Sequence, residues 1–185
     1  AHPQIMIPQI SSIAELNHIK KTYDIIKKET EKKHKMKLKI NFGTMIEVVR
    51  AALTAEELAS TAEFFSFGTN DLTQGTFSFS REDVEGKFLP EYMEKELLER
   101  NPFQSIDVTG VGSLIKMGIA AGRGVRPNME VGICGEHGGD PSSIKFCHGE
   151  GLTYVSASPH RIPIAIVAAA QAAIEQPKKV RKSRK

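Results

Sequence analysis

Short runs of consecutive apolar residues alternate with helix-like patterns along this chain. Three runs contain a glycine and lead to a carboxylate or a thiol: residues 40–47 end at Glu47, residues 64–71 end at Asp71, and residues 131–140 contain Cys134. An apolar run of this length is typical of a buried parallel strand. Loops beyond the carboxyl ends of such strands form the site of many α/β folds, so these side chains are expected to converge.

Helix start signals lie between the predicted strands. A short strand is predicted at residues 5–8, and the capping-box pattern then occurs twice, as Ser12 with Glu15 and as Thr54 with Glu57. Each box predicts a helix that begins just after it. The first of these helices is expected to present four apolar residues on one face: Leu16, Ile19, Tyr23 and Ile26.

Glycine and proline punctuate the later helices. Apolar positions from residue 111 onward predict a helix that ends at Gly122 and Gly124. Asp140 and Ser158 each precede a proline, which predicts two further helix starts. The last of these helices is rich in alanine and is expected to pack closely on a sheet.

The long connection at residues 76–102 mixes charged and aromatic residues, with a short helix predicted at 92–98. Long insertions at an active face often serve as lids or contact surfaces. The complete pattern is five β/α units, whereas an eight-stranded barrel takes about 250 residues. The sequence therefore predicts an α/β fold, the carboxyl-terminal five β/α units of a (β/α)8 TIM-type barrel, incomplete as given. We expect a fragment with two open strand edges.

The composition fits one globular domain, with 40% hydrophobic and 25% charged residues. The net charge of +3 comes from six Lys and Arg at residues 178–185; without them the chain has 19 Lys and Arg against 22 Asp and Glu. We therefore predict a partial barrel domain at residues 1–176 and a basic, disordered tail at 177–185. Binding of a polyanion by that tail is the alternative.

Neither a signal peptide nor a run of about 20 apolar residues is visible in the sequence. Two cysteines do not form a disulfide framework, which indicates a reducing compartment. The expected location is the cytoplasm or an organelle, without secretion. No membrane contact is expected, and nucleic acid is an unfavoured partner.

Glu47 and Asp71 lie one β/α unit apart, each just past a predicted strand. Hard divalent cations favour carboxylate oxygens, with water and substrate in the remaining positions, so the spacing suggests a Mg²⁺ site. The alternative is that one acid caps a helix or pairs with Arg50. The spacing alone does not decide between the two.

The residues Gly68, Thr69, Asn70 and Asp71 expose successive backbone N–H groups that suit a substrate carboxylate or phosphate. An ordinary turn would use the same residue types, so this motif is weak evidence when taken alone.

Cys134 lies between Gly132 and Gly135 and is followed by Glu136 and His137. A partly exposed thiol beside such groups is suited to proton donation or nucleophilic attack. Burial as a small apolar residue is the alternative, and it describes Cys147 better. Structural zinc bound by both cysteines and their histidine neighbours is not expected, because Cys147 and His148 are adjacent on a predicted helix and point about 100° apart.

Three stretches together identify a resemblance: FFSFGTNDLTQ at residues 64–74, GVG at 110–112 and VGICGEHGGDPSS at 131–143. Across residues 5–174 the chain resembles the carboxyl-terminal part of the pyruvate, phosphate dikinase family. Phosphoenolpyruvate synthase and the first enzyme of the sugar phosphotransferase system share the Cys-Gly pair. They usually differ after it, so the dikinases are favoured.

The resemblance implies that Glu47 and Asp71 hold Mg²⁺ and that Cys134 protonates the methylene carbon of enolpyruvate. Substrate would be bound by residues Glu47, Gly68, Thr69, Asn70, Asp71 and Gly132, while Glu136 and His137 orient the thiol. The implied reaction converts ATP, pyruvate and phosphate to AMP, phosphoenolpyruvate and diphosphate. It needs a phosphohistidine domain and a nucleotide-binding domain outside this chain, and the parent enzyme is expected to be a homodimer.

Three positions depart from the family pattern, namely Val49, Gly75 and Ile166, and none of them is an inferred ligand. The arginines that bind substrate in the family have no counterpart here, so the fragment alone is expected to be inactive. The competing hypothesis is a noncatalytic fragment or binding module with a vestigial site and a polyanion-binding tail.

Overall fold

Five parallel strands form a single sheet in chain order. They are β1 (Gln4–Ile7), β2 (Asn41–Ile46), β3 (Phe64–Gly68), β4 (Glu130–Cys134) and β5 (Tyr154–Val155). This computed structural model describes residues 2–176, so the basic tail predicted at residues 177–185 lies outside the described residues. Strands β1 and β5 are the two edges, as expected for part of a barrel.

Nine α-helices alternate with or follow the strands in the described part of the chain. They are α1 (Ile13–His34), α2 (Val49–Leu53), α3 (Ala55–Ala59), α4 (Thr69–Phe77), α5 (Arg81–Glu85), α6 (Leu89–Glu94), α7 (Val111–Val125), α8 (Pro141–Gly149) and α9 (Ile162–Glu175). Short 3₁₀ turns lie at Glu136–Gly139 and Pro159–Arg161. The α/β partial barrel predicted from the sequence is confirmed. No helix between residues 2 and 176 has both the length and the apolar character that crossing a membrane requires.

Both helices that the capping boxes predict begin where expected, at Ile13 and Ala55, but the box itself forms at Ser12 and not at Thr54. The Ser12 hydroxyl accepts a hydrogen bond from the Glu15 backbone N–H, and the Glu15 carboxylate accepts one from the Ser12 N–H. The Thr54 hydroxyl instead donates to the Arg50 carbonyl, 2.9 Å away. This difference arises because α2 ends immediately before Thr54, so the preceding turn supplies an acceptor.

Helix α1 contacts the core through its first half only. Leu16 is fully buried, whereas Ile26 is 56% exposed, so the prediction that Ile26 lies on the core face is wrong. At 1.5 Å per residue, the 22-residue helix is about 33 Å long, while the four residues of β1 span about 13 Å. The second half of α1 therefore extends beyond the sheet.

Helix α7 continues through the glycines that were expected to end it. A Cβ added at Gly122 would lie 2.7 Å from the Phe65 ring, and one added at Gly118 would lie 2.8 Å from the Phe67 ring. The glycines let α7 approach the two aromatic rings of β3, which are fully buried. Gly118 and Gly122 are therefore packing positions, whereas Gly124 faces open space, and the helix ends only after Val125.

The connection after α4 folds as a helical insertion, residues 78–106, with a small core of its own. Val84, Leu89 and Phe103 are buried there. The short helix predicted at residues 92–98 lies earlier, as α6, and α5 was not predicted. Glu96 takes the left-handed conformation, with φ of 53°, which explains why α6 cannot continue through the predicted range.

Helix α8 begins as predicted, since the Asp140 carboxylate accepts a hydrogen bond from the Ser143 N–H at 2.8 Å. Ser158 makes no side-chain cap, because the 3₁₀ turn Pro159–Arg161 lies between it and α9. Ala168 of α9 packs in a small cluster with Ile144 of α8 and Val155 of β5. The predicted close packing of the alanines is thus directed at a helix as well as at the sheet.

Candidate active site

Glu47 and Asp71 follow β2 and β3, which are neighbours in the sheet. A third residue, Gln9, contacts both acids: its backbone N–H donates to Glu47 Oε1 at 2.6 Å, and its side-chain Nε2 donates to Asp71 Oδ2 at 3.2 Å. Burial raises the pKa of Glu47, and the neighbouring Asp71 raises that pKa further, against the hydrogen bond from Gln9. Two close carboxylates repel each other, and a cation placed between them would relieve this repulsion.

Gly68 lies against side chains of the candidate site, namely those of Glu47 and Met45. A Cβ at this position would lie 2.6 Å from Glu47 Oε2 and 2.7 Å from Met45 Sδ. Any larger residue would therefore displace either the carboxylate or the sulfur. The predicted role of Gly68 was to expose backbone N–H groups, and the close approach of these two side chains is an additional requirement.

Thr69 and Asn70 begin helix α4, and both use their side chains within the protein. The Thr69 hydroxyl lies 3.0 Å from the Cys134 carbonyl oxygen, and Asn70 Oδ1 accepts a hydrogen bond from the Glu136 N–H at 3.1 Å. Thr69 is fully buried. These contacts connect the loop after β3 to the loop after β4.

Cys134 is the last residue of β4, with its thiol partly buried. Its Sγ lies 3.9 Å from Met45 Sδ and 3.7 Å from the Phe67 carbonyl oxygen. Burial raises the pKa of Cys134, and the charges of Glu47 and Asp71 add to the increase, while a hydrogen bond with Ser66 opposes it. The group is therefore a protonated thiol at neutral pH, suited to giving a proton away.

Ser66 and Tyr154 belong to the surroundings of the thiol, although the sequence did not single them out. Burial raises the pKa of Tyr154, a hydrogen bond with Ser66 lowers it, and Cys134 acts on the same phenol. The Tyr154 ring lies directly against Gly132, where any Cβ would collide with it. Gly132 thus makes room for an aromatic ring beside the thiol, and its predicted contact with substrate stays a prediction.

The loop after Cys134 turns sharply at Gly135, whose φ is 110°. Only glycine adopts this conformation without strain, and a Cβ would also meet Asn70 Oδ1 and Thr69 Oγ1 at 2.9 Å. The turn directs Glu136 outward, where it is exposed, and His137 inward, where it is fully buried. The two residues predicted to orient the thiol therefore lie in opposite environments.

Two depressions open near these residues. One, of about 380 Å³, is lined by Gln9, Glu47 and Asp71, among others. The second, of about 310 Å³, includes Asn70 and Arg161 in its lining. Cys134 lines neither of these two, so the acids and the thiol are neighbours at one edge of the sheet without sharing either depression.

The structure also bears on the alternatives raised by the sequence. Arg50 donates a hydrogen bond to the Ser11 carbonyl oxygen, which gives its guanidinium a partner other than Glu47. Cys147 is 1% exposed, which confirms it as a buried apolar residue. Among residues 2–176, no group of three or more His, Cys, Asp or Glu side chains is placed to hold a metal ion. A Mg²⁺ ion at Glu47 and Asp71 would therefore need water and substrate oxygens, as this ion commonly does.

Sequence patterns could have indicated some of the residues that were missed. Gln9 lies just past the carboxyl end of β1, as Glu47 and Asp71 lie just past the carboxyl ends of β2 and β3. Ser66 is a polar residue inside an otherwise apolar strand. Gln74 carries no such signal, yet its Nε2 donates to Asp71 Oδ1 at 3.0 Å.

Comparison with known proteins supports the partial parallel barrel and identifies a family for the chain. The family model described as "PEP-utilising enzyme, PEP-binding domain" matches residues 1–174, so the chain belongs to this family. Among curated proteins, it is similar to the pyruvate, phosphate dikinase of Entamoeba histolytica, with 53% identity over 178 residues and 96% of the chain covered. The dikinase of Clostridium symbiosum is 53% identical over 172 residues.

The chain spans about one fifth of the length of these relatives, covering 20% of each. The chloroplastic pyruvate, phosphate dikinase 1 of Arabidopsis thaliana is 54% identical over 93% of the chain and 18% of its own length. A solved citrate lyase from Burkholderia xenovorans shares the fold, with a TM-score of 0.57 at 16% identity, covering 90% of this chain and 48% of that one. The resemblance inferred from the sequence is confirmed.

Proposed function

We propose that this chain is the carboxyl-terminal part of the PEP/pyruvate-binding barrel of a pyruvate, phosphate dikinase. The observation that carries the proposal is the placement of Glu47, Asp71 and Cys134 at the ends of three neighbouring strands. The identity of about half to dikinases along nearly the whole chain supports it. In the parent enzyme, this part would act on pyruvate and phosphoenolpyruvate.

Glu47 and Asp71 would hold Mg²⁺ through the lone pairs that Gln9 and Gln74 leave free. The fit is supported by the contact between the two carboxylates, which raises the pKa of Glu47 in addition to the larger effect of its burial. When bound, the ion would supply positive charge to the enolate oxygen of the substrate. Gln9 would fix the relative orientation of the two carboxylates, because it donates one hydrogen bond to each.

The carboxylate of the substrate would lie on the backbone N–H groups at the start of α4, at Thr69, Asn70 and Asp71. Support comes from the helix geometry, since the first N–H groups of α4 have no acceptor within the helix and lie at the positive end of its dipole. Gly68 lets the Glu47 carboxylate come close to the start of this helix.

Cys134 would act as the acid that protonates carbon 3 of enolpyruvate. The S–H bond breaks, its proton forms a C–H bond with the methylene carbon, and the enolate oxygen becomes the ketone oxygen of pyruvate. The raised pKa of the thiol supports this role, because a protonated donor is needed at neutral pH. In the other direction, the thiolate removes a methyl proton, and the enolate oxygen takes the phosphoryl group from a phosphohistidine.

The remaining components would lie outside this chain. A phosphohistidine domain and a nucleotide-binding domain are proposed as partners within the parent enzyme, which would be about five times as long as this chain. We further propose that the parent is a homodimer and that the chain alone does not turn over ATP.

Substitution of Cys134 by alanine in the full-length enzyme tests the proposal. Exchange of pyruvate methyl protons with D₂O, followed by NMR, is expected to fall by at least about 10²-fold, because the proton donor is removed. Nucleotide-dependent phosphorylation of the remote histidine should persist.

Cys147→Ala is the matched control, since Cys147 is a buried thiol on another element. It should leave methyl-proton exchange near the wild-type rate. Wild-type exchange in the Cys134→Ala enzyme would remove the thiol from the mechanism, and no exchange in the wild-type enzyme would contradict the function as a whole.

A further inference from the structure

Gln74 ties the candidate metal site to the helical insertion. Its Nε2 donates to Asp71 Oδ1 at 3.0 Å, while its Oε1 accepts a hydrogen bond from the Arg81 backbone N–H at 2.9 Å. Arg81 is the first residue of α5, inside the insertion. One amide group therefore fixes both the orientation of a carboxylate and the start of the insertion.

His137 ties the thiol-bearing loop to the other end of the same insertion. Its Nε2 lies 2.8 Å from the Pro102 carbonyl oxygen, and its Nδ1 lies 2.7 Å from the Thr69 hydroxyl. A carbonyl only accepts, so Nε2 carries the hydrogen. Burial lowers the pKa of His137, which favours the neutral ring with Nδ1 as an acceptor. The Thr69 hydroxyl has one hydrogen, so His137 Nδ1 and the Cys134 carbonyl oxygen compete for it.

The end of the insertion is fastened a second time near this point. Ser105 donates to the Asp140 carboxylate at 2.9 Å, and the Ile106 N–H donates to the Ser143 hydroxyl at 2.9 Å. Both acceptors belong to the start of α8, only a few residues beyond His137. These hydrogen bonds fix the carboxyl end of the insertion relative to the loop after β4.

The insertion has a small packed core, beside a depression of about 300 Å³ at its carboxyl end that Leu98 and Pro102 help to line. Phe103 is 1% exposed and belongs to the small core with Val84 and Leu89. The Arg81 guanidinium lies 5.7 Å from the centre of the Phe103 ring. The residue bonded to Gln74 therefore contacts the residue that follows Pro102, which is bonded to His137. A segment held at both ends and filled with side chains transmits position from one end to the other.

We propose that Gln74 and His137 are positioning residues that couple the Asp71 side of the site to the Cys134 side through the helical insertion. The insertion acts as a brace that adds to the direct contacts of Thr69 and Asn70 with the loop after β4 in setting the separation of the carboxylates from the thiol, and it is not a lid. This inference rests on the proposed function, because its first readout is proton transfer by Cys134.

Three substitutions in the full-length enzyme each remove some of the hydrogen bonds made by Gln74 or His137. His137→Asn keeps a polar group near the Nδ1 position but does not reach Pro102, whereas His137→Gln reaches towards Pro102 but lacks the Nδ1 acceptor. Gln74→Met keeps the length of the side chain and removes both of its hydrogen bonds. His18→Asn on the exposed face of α1 is the matched control.

Each of the three substitutions is expected to lower kcat for methyl-proton exchange by about 10- to 100-fold while leaving KM nearly unchanged, because misplacement of about 1 Å costs that much. The double variant Gln74→Met with His137→Asn should lose no more than the worse single variant, since both tethers act through one insertion. A wild-type kcat in the single variants, or losses that multiply in the double variant, would overturn the inference.

Amide hydrogen exchange supplies a readout that does not depend on activity. His137→Asn and Gln74→Met should each accelerate exchange both at residues 134–140 and in α4, and His18→Asn should not. Acceleration confined to the side that carries the substitution would overturn the coupling even if the enzyme were inactive. Should His137→Asn fail to fold, Gln74→Met, which cuts the other tether to the insertion, decides by the same two measurements. If the wild-type enzyme exchanges methyl protons and the variants behave like it, the proposed coupling through the insertion is wrong and the proposed function stands. If the wild-type enzyme shows no exchange, the proposed function itself is wrong.

Discussion

Cys134 shows how neighbouring groups set the chemistry of a single side chain. The thiol is partly buried, it faces two carboxylates, and Ser66 is the group that opposes their effect on its pKa. A nucleophilic cysteine needs positive surroundings that favour the thiolate. Without a bound cation the surroundings here have the opposite sign, so they favour the thiol over the thiolate that a nucleophile needs, an alternative that the sequence left open.

The reactivity of Cys134 should therefore be low at neutral pH and should increase with pH. Because its pKa is raised above the ordinary value of 9.0, the thiolate fraction at pH 7 is smaller than that of a free thiol, and alkylation by iodoacetamide should be slower than for a cysteine peptide. Above pH 9 the rate should keep rising after the peptide has reached its plateau. Mass spectrometry of residues 130–140 measures it.

Cys147 provides the internal comparison, because it is almost fully buried and its pKa is raised to about 12, mainly by burial. It should remain unlabelled throughout. Rapid labelling of Cys134 at pH 7 would contradict a protonated thiol.

Helix α8 is the element on which most of the polar network depends. Four hydrogen bonds reach one oxygen of Asp140, from the Ser105 and Ser142 hydroxyls and from both the N–H and the hydroxyl of Ser143. Burial alone would raise the pKa of Asp140, but the hydrogen bonds from Ser142, Ser143 and Ser105 outweigh it and lower the pKa. The charged form is therefore favoured in the folded state.

Asp140→Ala should lower the free energy of unfolding of the chain by about 1–2 kcal/mol, the cost of losing a helix N-cap. Since the pKa of Asp140 is lowered on folding, its contribution is complete above the unfolded value near 3.8 and is lost as pH falls through the folded value. Urea denaturation at pH 7 and at pH 3 measures both effects.

Asp24→Ala is a suitable control, because Asp24 is exposed and pairs only with Lys20 on the surface of α1. Such pairs contribute well under about 1 kcal/mol. Equal losses for the two variants at pH 7 would argue against a capping role for Asp140.

The sheet of five strands leaves surfaces that the described residues do not cover. Strands β1 and β5 are open edges, and α9 is apolar around most of its circumference, with Ile162 46% and Ile166 63% exposed. A groove of about 420 Å³ lies between β5 and this side of α9. Helices that are apolar all round are normally buried, so in the parent enzyme other residues would cover this surface.

When it is expressed alone, the chain should therefore self-associate. Replacing Ile162 and Ile166 together by glutamine should shift the distribution towards the monomer in sedimentation velocity, because it removes the largest apolar part of the groove. Ile25→Gln, at an exposed position on α1, should have little effect. A wild-type chain that is monomeric at tens of micromolar would contradict this prediction.

The order of strands and helices could be predicted from the sequence because each depends on local signals. Apolar runs located the sheet, and the capping pattern of Ser12 and Glu15 and the Asp140 cap located two helix starts within a residue. The Thr54 box failed because a neighbouring turn offered its hydroxyl an acceptor. The glycines of α7 misled because the rings they accommodate come from β3, about 50 residues away.

The residues of the candidate site also fall into two groups, those that local sequence signals indicate and those that only the folded structure reveals. The sequence alone was enough to select Glu47, Asp71 and Cys134, because each follows an apolar run and the ends of parallel strands must meet at one edge. Gln9 and the inward position of His137 depend on contacts between groups far apart in the chain, and no local pattern records these distances. Folding decided them, since only packing brings an acceptor such as the Pro102 carbonyl within reach of a buried donor.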